Sequence, residues 1–237
     1  MARLIPFWND PVVQAIFWSA ATIGFYLAAK ALYRQWPRWW LTPLAVTPAL
    51  LIILILSLHT SYPDYIRGTH WLVALLGPAT VAFAIPIYEQ RDLIRRDWPV
   101  LLIGVVVGSA TAMISAWAMA SVLGLNGTLR LSLLPRSMST PFAMVVSDDI
   151  GGVPDLTAVF LVLTGVIGAA FGEIILARLP VRSTLARGSL LGLGAHGAGT
   201  AKAHEIGREE GSIAGLVMVL TGLLNVFIGP VLAHYLR

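Results

Sequence analysis

The chain has 237 residues, of which 12% are charged and 57% apolar, with a mean hydropathy of +0.78. A soluble domain carries about 25% charged residues, so this composition excludes a cytosolic enzyme, a disordered chain and a nucleic-acid binder. The net charge of +4 is scattered in short clusters between apolar runs and reads as a topology signal, while the absence of cysteine excludes disulfides, iron–sulfur clusters and a thiol nucleophile. What remains is an all-α polytopic membrane protein.

The charge-free stretches predict the elements in chain order. Asn9, Asp10 and Pro11 interrupt the opening residues, and only Arg3 precedes them, which argues against a cleavable signal peptide. The first span, 11–29, starts with Asp10 as cap and Pro11 at the first helical position. Further spans follow at 39–58, 69–88, 98–122 and 212–235, each near the roughly 20 apolar residues that crossing requires. The run 156–172 extends to Leu176 if Glu173 is tolerated. This makes about six full spans. The runs 137–147 and 188–201 are too short to cross and are rich in Gly, Pro, Ser and Thr, so 131–150 and 188–203 are expected to be broken or re-entrant.

The expected organisation is one membrane domain over 1–237. Residues 1–38 hold a peripheral first helix. A first core half, 39–130, has a broken segment at 75–88, and a second, 131–237, has broken segments at 131–150 and 188–203. The basic loops Lys30/Arg34/Arg38, Arg91/Arg95/Arg96 and Arg178/Arg182/Arg187 all fall in the cytoplasm if 131–150 enters and leaves on the outer side. The N-terminus and the acidic loop Asp148, Asp149, Asp155 are then outside, and 188–203 dips in from the cytoplasm.

The chain also aligns with itself. At an offset of 57 residues Val162-Leu163-Thr164-Gly165 falls on Val219-Leu220-Thr221-Gly222, and Gly172 on Gly229. At 60 residues Thr80 falls on Thr140, Glu89 on Asp149 and Gly108 on Gly168. Repeats with interrupted helices in corresponding positions point to a transporter site near the bilayer midplane.

Three broken segments are candidates for that site. In 75–86, Pro78 and Pro86 remove backbone donors, either kinking a packed helix or opening a polar point at Pro78 and Thr80. In 133–141, Arg136 stands among Ser137, Ser139 and Thr140, before a helix restarting near Pro141. Free amides, a positive dipole end and a guanidinium fork together suit a small organic anion. The alternative is an interfacial arginine that joins Arg130 at the membrane edge. In 192–202, four glycines surround His196, with Gly197 and Thr200 following. His196 titrates near neutrality and is suited to carry a coupling proton or bind a substrate hydroxyl, or else it sits in a packing face.

Glu173 is a second proton-coupling candidate, or a carboxylate that simply pairs with Arg178. Asp155 reads as the cap of the following helix, and Lys202, Glu205, Arg208, Glu209 and Glu210 as a solvated mixed-charge loop. Motifs for nucleophilic, metal or nucleotide chemistry are absent, and the five histidines lack metal-ligand spacing, so neither enzyme activity nor a metal or cofactor is expected.

The runs LLPRSMSTPFAM (133–144), GGVPDLTAVF (151–160), VLTGVIGA (162–169) and GAHGAGTAKAHEIG (194–207) resemble the LrgB/CidB family, as do GPATVAFAIPIY (77–88) and SYPDY (61–65). The resemblance runs in order from about residue 40 to 235. The family commonly has Lys at the position of Arg136 and Pro at that of Glu173. It implies one of two functions. One is a carrier of small 2-hydroxy or 2-oxo monocarboxylates such as glycolate, glycerate, pyruvate or lactate, with a proton as the candidate coupling ion, in the bacterial inner membrane. The other is an antiholin-like regulator of murein hydrolase export and lysis. It also implies an LrgA-like membrane partner, and a carrier of this kind is expected to be a homodimer.

Overall fold

The computed structural model describes residues 10–236. Among these every regular element is a helix. The chain divides into two compact units, Met1–Ala79 and Thr80–Arg237.

The first unit holds α1 (Pro11–Gln35), a 3-10 turn at Trp39–Leu41, α2 (Pro43–Ser57), α3 (Tyr62–Ala74) and the start of α4 (Leu76–Ala82). Asp10 caps α1 as expected, accepting from the Val12 N–H at 2.8 Å with Pro11 at the first helical position. Pro37 lacks a donor, and the helix stops before it at Gln35. Helices α1 and α3 lock through buried Trp18, edge-on to Tyr65 at 5.5 Å, and through Ser19, which accepts from Trp71 Nε1 at 2.7 Å. The span expected at 39–58 is shorter than drawn. Pro43 starts the helix four residues later, leaving only 15 residues of α2.

The second unit holds the end of α4, then α5 (Ala84–Glu89), α6 (Arg91–Val122), α7 (Gly127–Leu133), α8 (Thr140–Ile150), α9 (Pro154–Arg178), α10 (Thr184–Ile206) and α11 (Arg208–Leu236). Among the described residues five helical runs are long and apolar enough to cross a membrane: Pro11–Gln35, Tyr62–Glu89, Arg91–Val122, Pro154–Arg178 and Arg208–His234. Their large apolar residues face outward, among them Val12, Ile103, Ile114 and Phe171. That arrangement suits a lipid-facing surface and no aqueous one. The protein is a polytopic membrane protein.

Both short runs are broken, as expected. Between α7 and α8 the chain turns through Leu134–Ser139. Within α10 the helix is interrupted at His196, with φ 40° and ψ −120°. The breaks fall where helix geometry is hardest to keep: Pro135 and Pro141 flank the first, Gly194 and Gly197 the second.

The element boundaries coincide at the 57-residue offset. It sets α7 on the first turns of α10, Ser139 on His196, α8 on the rest of α10, and α9 on residues 211–235 of α11. Internal contacts repeat as well. The turn before α9 packs on α7, where a Cβ at Gly152 would lie 3.0 Å from the Ser132 nitrogen. Correspondingly the start of α11 packs on α10, where a Cβ at Gly188 would lie 2.7 Å from the Glu210 carbonyl. At an offset of 60 the break at Phe83 falls on Ala143, inside α8, so that alignment has no structural counterpart.

Three local expectations are corrected. The cap of α9 is Val153, because Pro154 occupies the first helical position and moves Asp155 into the first turn. Glu173 pairs with Lys202 at 3.1 Å, not with Arg178 on its own helix. Residues 202–210 are no loop: α10 and α11 meet at Gly207 alone, and Glu210 is buried against Arg187 at 3.7 Å.

Candidate functional site

The two breaks meet in the second unit. Ser137, in the first, donates its hydroxyl to the Leu193 carbonyl beside the second, at 2.7 Å. The offset sets Arg136 on Leu193 and Ser137 on Gly194, so each repeat offers corresponding residues at this crossing. Helix α9 runs close by. A Cβ at Gly168 would lie 2.7 Å from the Gly194 carbonyl, so only a glycine lets the two backbones approach there. Helix α11 approaches from the other repeat, where a methyl group at Gly192 would strike the Ala214 carbonyl.

Apart from Ser137, the first break keeps its polar side chains unspent. Arg136 is half-buried and makes no ion pair or side-chain hydrogen bond among the described residues. Ser139 is 5% exposed, and its Oγ has no hydrogen-bond partner. It stands at the cap position of α8 without capping it, so the first amides of an eleven-residue helix stay uncapped by that side chain. A cation, an idle hydroxyl and a helix N-terminus thus lie within four residues. Arg130, the imagined companion of Arg136 at the membrane edge, instead lies over the Trp117 ring at 3.9 Å.

The second break is spent on structure. The His196 Nε2 lies 3.1 Å from the Leu161 carbonyl of α9. A carbonyl only accepts, so Nε2 carries the proton and Nδ1 is the ring's acceptor. Thr200 donates to the His196 carbonyl at 2.9 Å and approaches the Met218 sulfur at 3.9 Å. Gly197 is exposed, and Thr140 part-buried at the first position of α8. Ser137, Ser139, Thr140, Arg136, His196, Gly197 and Thr200 are therefore gathered on the two breaks. Pro78 belongs to the first unit and Thr80 begins the second. Three residues on from Thr80, Phe83 packs on Phe142 of α8, with ring centroids 5.7 Å apart.

Sequence reasoning missed a buried polar pair beside the crossing. Ser109 of α6 donates to Asn225 Oδ1 of α11 at 2.7 Å, and Asn225 donates in turn to the Thr221 carbonyl at 2.7 Å. Ser109, Thr221 and Asn225 line a small cavity with Leu134, Ser137 and Leu193. Asn225 was the legible signal, since a buried amide inside a spanning helix must find a partner. Among the described residues no cluster of His, Asp or Glu could hold a metal ion.

The sequence profile of the LrgB-like family matches residues 22–235. The chain belongs to that family. The LrgB-like chain is 40% identical over 215 residues to the uncharacterized protein YwbG of Bacillus subtilis, covering 91% of this chain and 96% of that one. It is 33% identical to an uncharacterized protein of Haemophilus influenzae, covering 87% and 89%. It is 30% identical over 224 residues to the holin-like protein CidB of Staphylococcus aureus, covering 94% and 97%. No solved structure matches it.

Proposed function

We propose that this LrgB-like protein is a secondary carrier of small 2-hydroxy or 2-oxo monocarboxylates, of the glycolate, glycerate, pyruvate or lactate type. One observation carries the reading: the unpaired Arg136 beside the buried, partnerless Ser139 hydroxyl at the start of α8. An isolated cation inside a membrane protein is costly unless an anion joins it. A guanidinium fork holds one carboxylate, and Ser139 and Thr140 complete the contact through the adjacent hydroxyl or keto oxygen. Ser137 ties the breaks together, so the site is framed by both repeats. His196 takes up a coupling proton on Nδ1, and Glu173 is the alternative. The two breaks then move against the helices around them, exposing the site to each side in turn. The working assembly is a homodimer in the bacterial inner membrane, with its N-terminus outside and an LrgA-like protein as partner.

The test is uptake of labelled glycolate, glycerate and pyruvate into liposomes holding the purified protein, with and without a pH gradient. Saturable uptake that vanishes in a folded Arg136→Ala variant supports the carrier and its site. Undiminished uptake in that variant overturns the site.

A second reading, an antiholin-like regulator of murein hydrolase export and lysis, is favoured by the name of the 30% identical holin-like relative CidB. It requires large oligomers and leakage of unrelated dyes. A compact dimer that retains dyes speaks against it.

A further inference from the structure

The C-terminal part of α10, residues 197–206, is an arm with a non-helical residue at each end. His196 breaks the helix before it, and Gly207 is extended after it. Its Lys202 is part-buried, and the ammonium is held by two exposed carboxylates, Glu173 of α9 at 3.1 Å and Glu205 at 2.9 Å. Beside it Arg187, at the other end of α10, reaches buried Glu210 at 3.7 Å. Glu173, Leu176, Arg187, Lys202, Glu205 and Ile206 line an open cleft. Lys202 lies six residues past His196, about 9 Å along the helix axis. The arm thus joins the floor of this cleft to the second break.

The first repeat has the same arm without the pin. Helix α8 runs between Ser139 and left-handed Gly151. The 57-residue offset puts Val145 where Lys202 stands and Val153 where Glu210 stands. Arg130 takes the position of Arg187, and in place of a carboxylate it finds Trp117. Asp148 keeps the place of Glu205, but Val145 leaves it no lysine there, and the repeat is tied by hydroxyls instead: Thr157 donates to the Ser132 carbonyl at 2.9 Å and shares a hydrogen bond with the Ser147 hydroxyl at 2.7 Å.

We infer that the Glu173–Lys202–Glu205 cluster is an ionic gate that pins the arm 197–206 over the cleft leading to the second break, and that Lys202 sets the rate at which that side opens. The cleft is the path of the anion to the crossing point, and while Lys202 and Arg187 stay paired to carboxylates it offers the anion no free cation. Release of Lys202 frees the arm to turn about His196 and Gly207. The first repeat carries no such gate. The path rests on the carrier reading; the pinned arm does not, and the experiment reads the arm directly.

The chain has no cysteine, so one introduced thiol reports alone. Ala203, beside Lys202 on the arm, is 0% exposed, and so is Ala143 on α8. In liposomes, Ala203→Cys is labelled with a water-soluble maleimide, alone and together with Lys202→Gln. The expected result is labelling at least tenfold faster with Lys202→Gln, the slow rate kept with Lys202→Arg, and no change at Ala143→Cys. Equal labelling with and without Lys202→Gln overturns the gate. So does acceleration at Ala143→Cys as well, which reports general loosening. Absence of anion uptake by the parent protein, with the labelling pattern intact, would overturn the carrier reading and leave the gate standing.

Discussion

The two repeats of the second unit, 127–178 and 184–235, share an outline but not a chemistry. The first is held by hydroxyls: Ser132 accepts from the Val153 N–H at 2.8 Å, and buried Thr157 binds both Ser132 and Ser147. The second is held by charges and close backbone contact, with Arg187 on Glu210, Lys202 on Glu205, and Gly192 against Ala214, and Lys202 also reaches across to Glu173 of the first repeat. The difference at the breaks is sharper. Ser139 is left without a partner, while His196 is tied to Leu161. At its breaks the duplicated frame is thus divided: the first keeps Arg136 and Ser139 free, and the second uses His196 to hold shape. Free polar groups in a buried place cost stability unless a ligand meets them. The first break is therefore where binding is expected, and the second where movement is set.

Four measurements bear on this division. The largest effect belongs to Arg136→Ala, which should lower anion uptake by about 100-fold or more, as loss of a charge-assisted pair of about 3 kcal/mol implies. Its melting temperature should hold, because Arg136 makes no ion pair among the described residues. Next is Gly192→Leu, whose side chain has no room against Ala214. Overpacking there should cost about 3 kcal/mol, read as a drop in thermal stability in detergent. Thr157→Val should cost about 1–2 kcal/mol by leaving the Ser132 carbonyl and the Ser147 hydroxyl each short of a partner. A melting temperature equal to the parent's would show that the hydroxyl network does not hold the first repeat.

The smallest effect is a reversal of order. At His196, φ is positive, so His196→Gly should be more stable than His196→Ala by about 1 kcal/mol. At Ser139, with φ −74°, Ser139→Ala should equal or exceed Ser139→Gly. The same order at both positions would mean that the two breaks are alike in backbone strain.

The spans were legible because lipid tolerates few charges, so long charge-free runs stand out in any reading. The breaks were legible because Pro135, Pro141, Gly194 and Gly197 are poor helix residues wherever they stand. Arg136 was legible as a cation set among hydroxyls between two apolar runs. The charged corner at 202–210 was misread because clustered charges on a loop and on a helix junction look the same in sequence. The partner of Glu173 was out of reach for a similar reason. Lys202 is 29 positions away, and the pair forms only once α9 and α10 fold against each other. Ser109 and Asn225 are 116 positions apart, and neither hints at the other. Asp155 was misplaced by two residues because Pro154 takes the first helical position and needs no donor.

The hydrogen bond from Ser137 to Leu193 also has a consequence in time. Its acceptor lies 56 residues after its donor. A chain growing at about 5–20 residues per second makes the acceptor roughly 3–11 s after the donor. Until then the first break has been synthesised without the carbonyl that its serine will use. Each newly made molecule passes through a stage in which half of the crossing exists and waits for its other half.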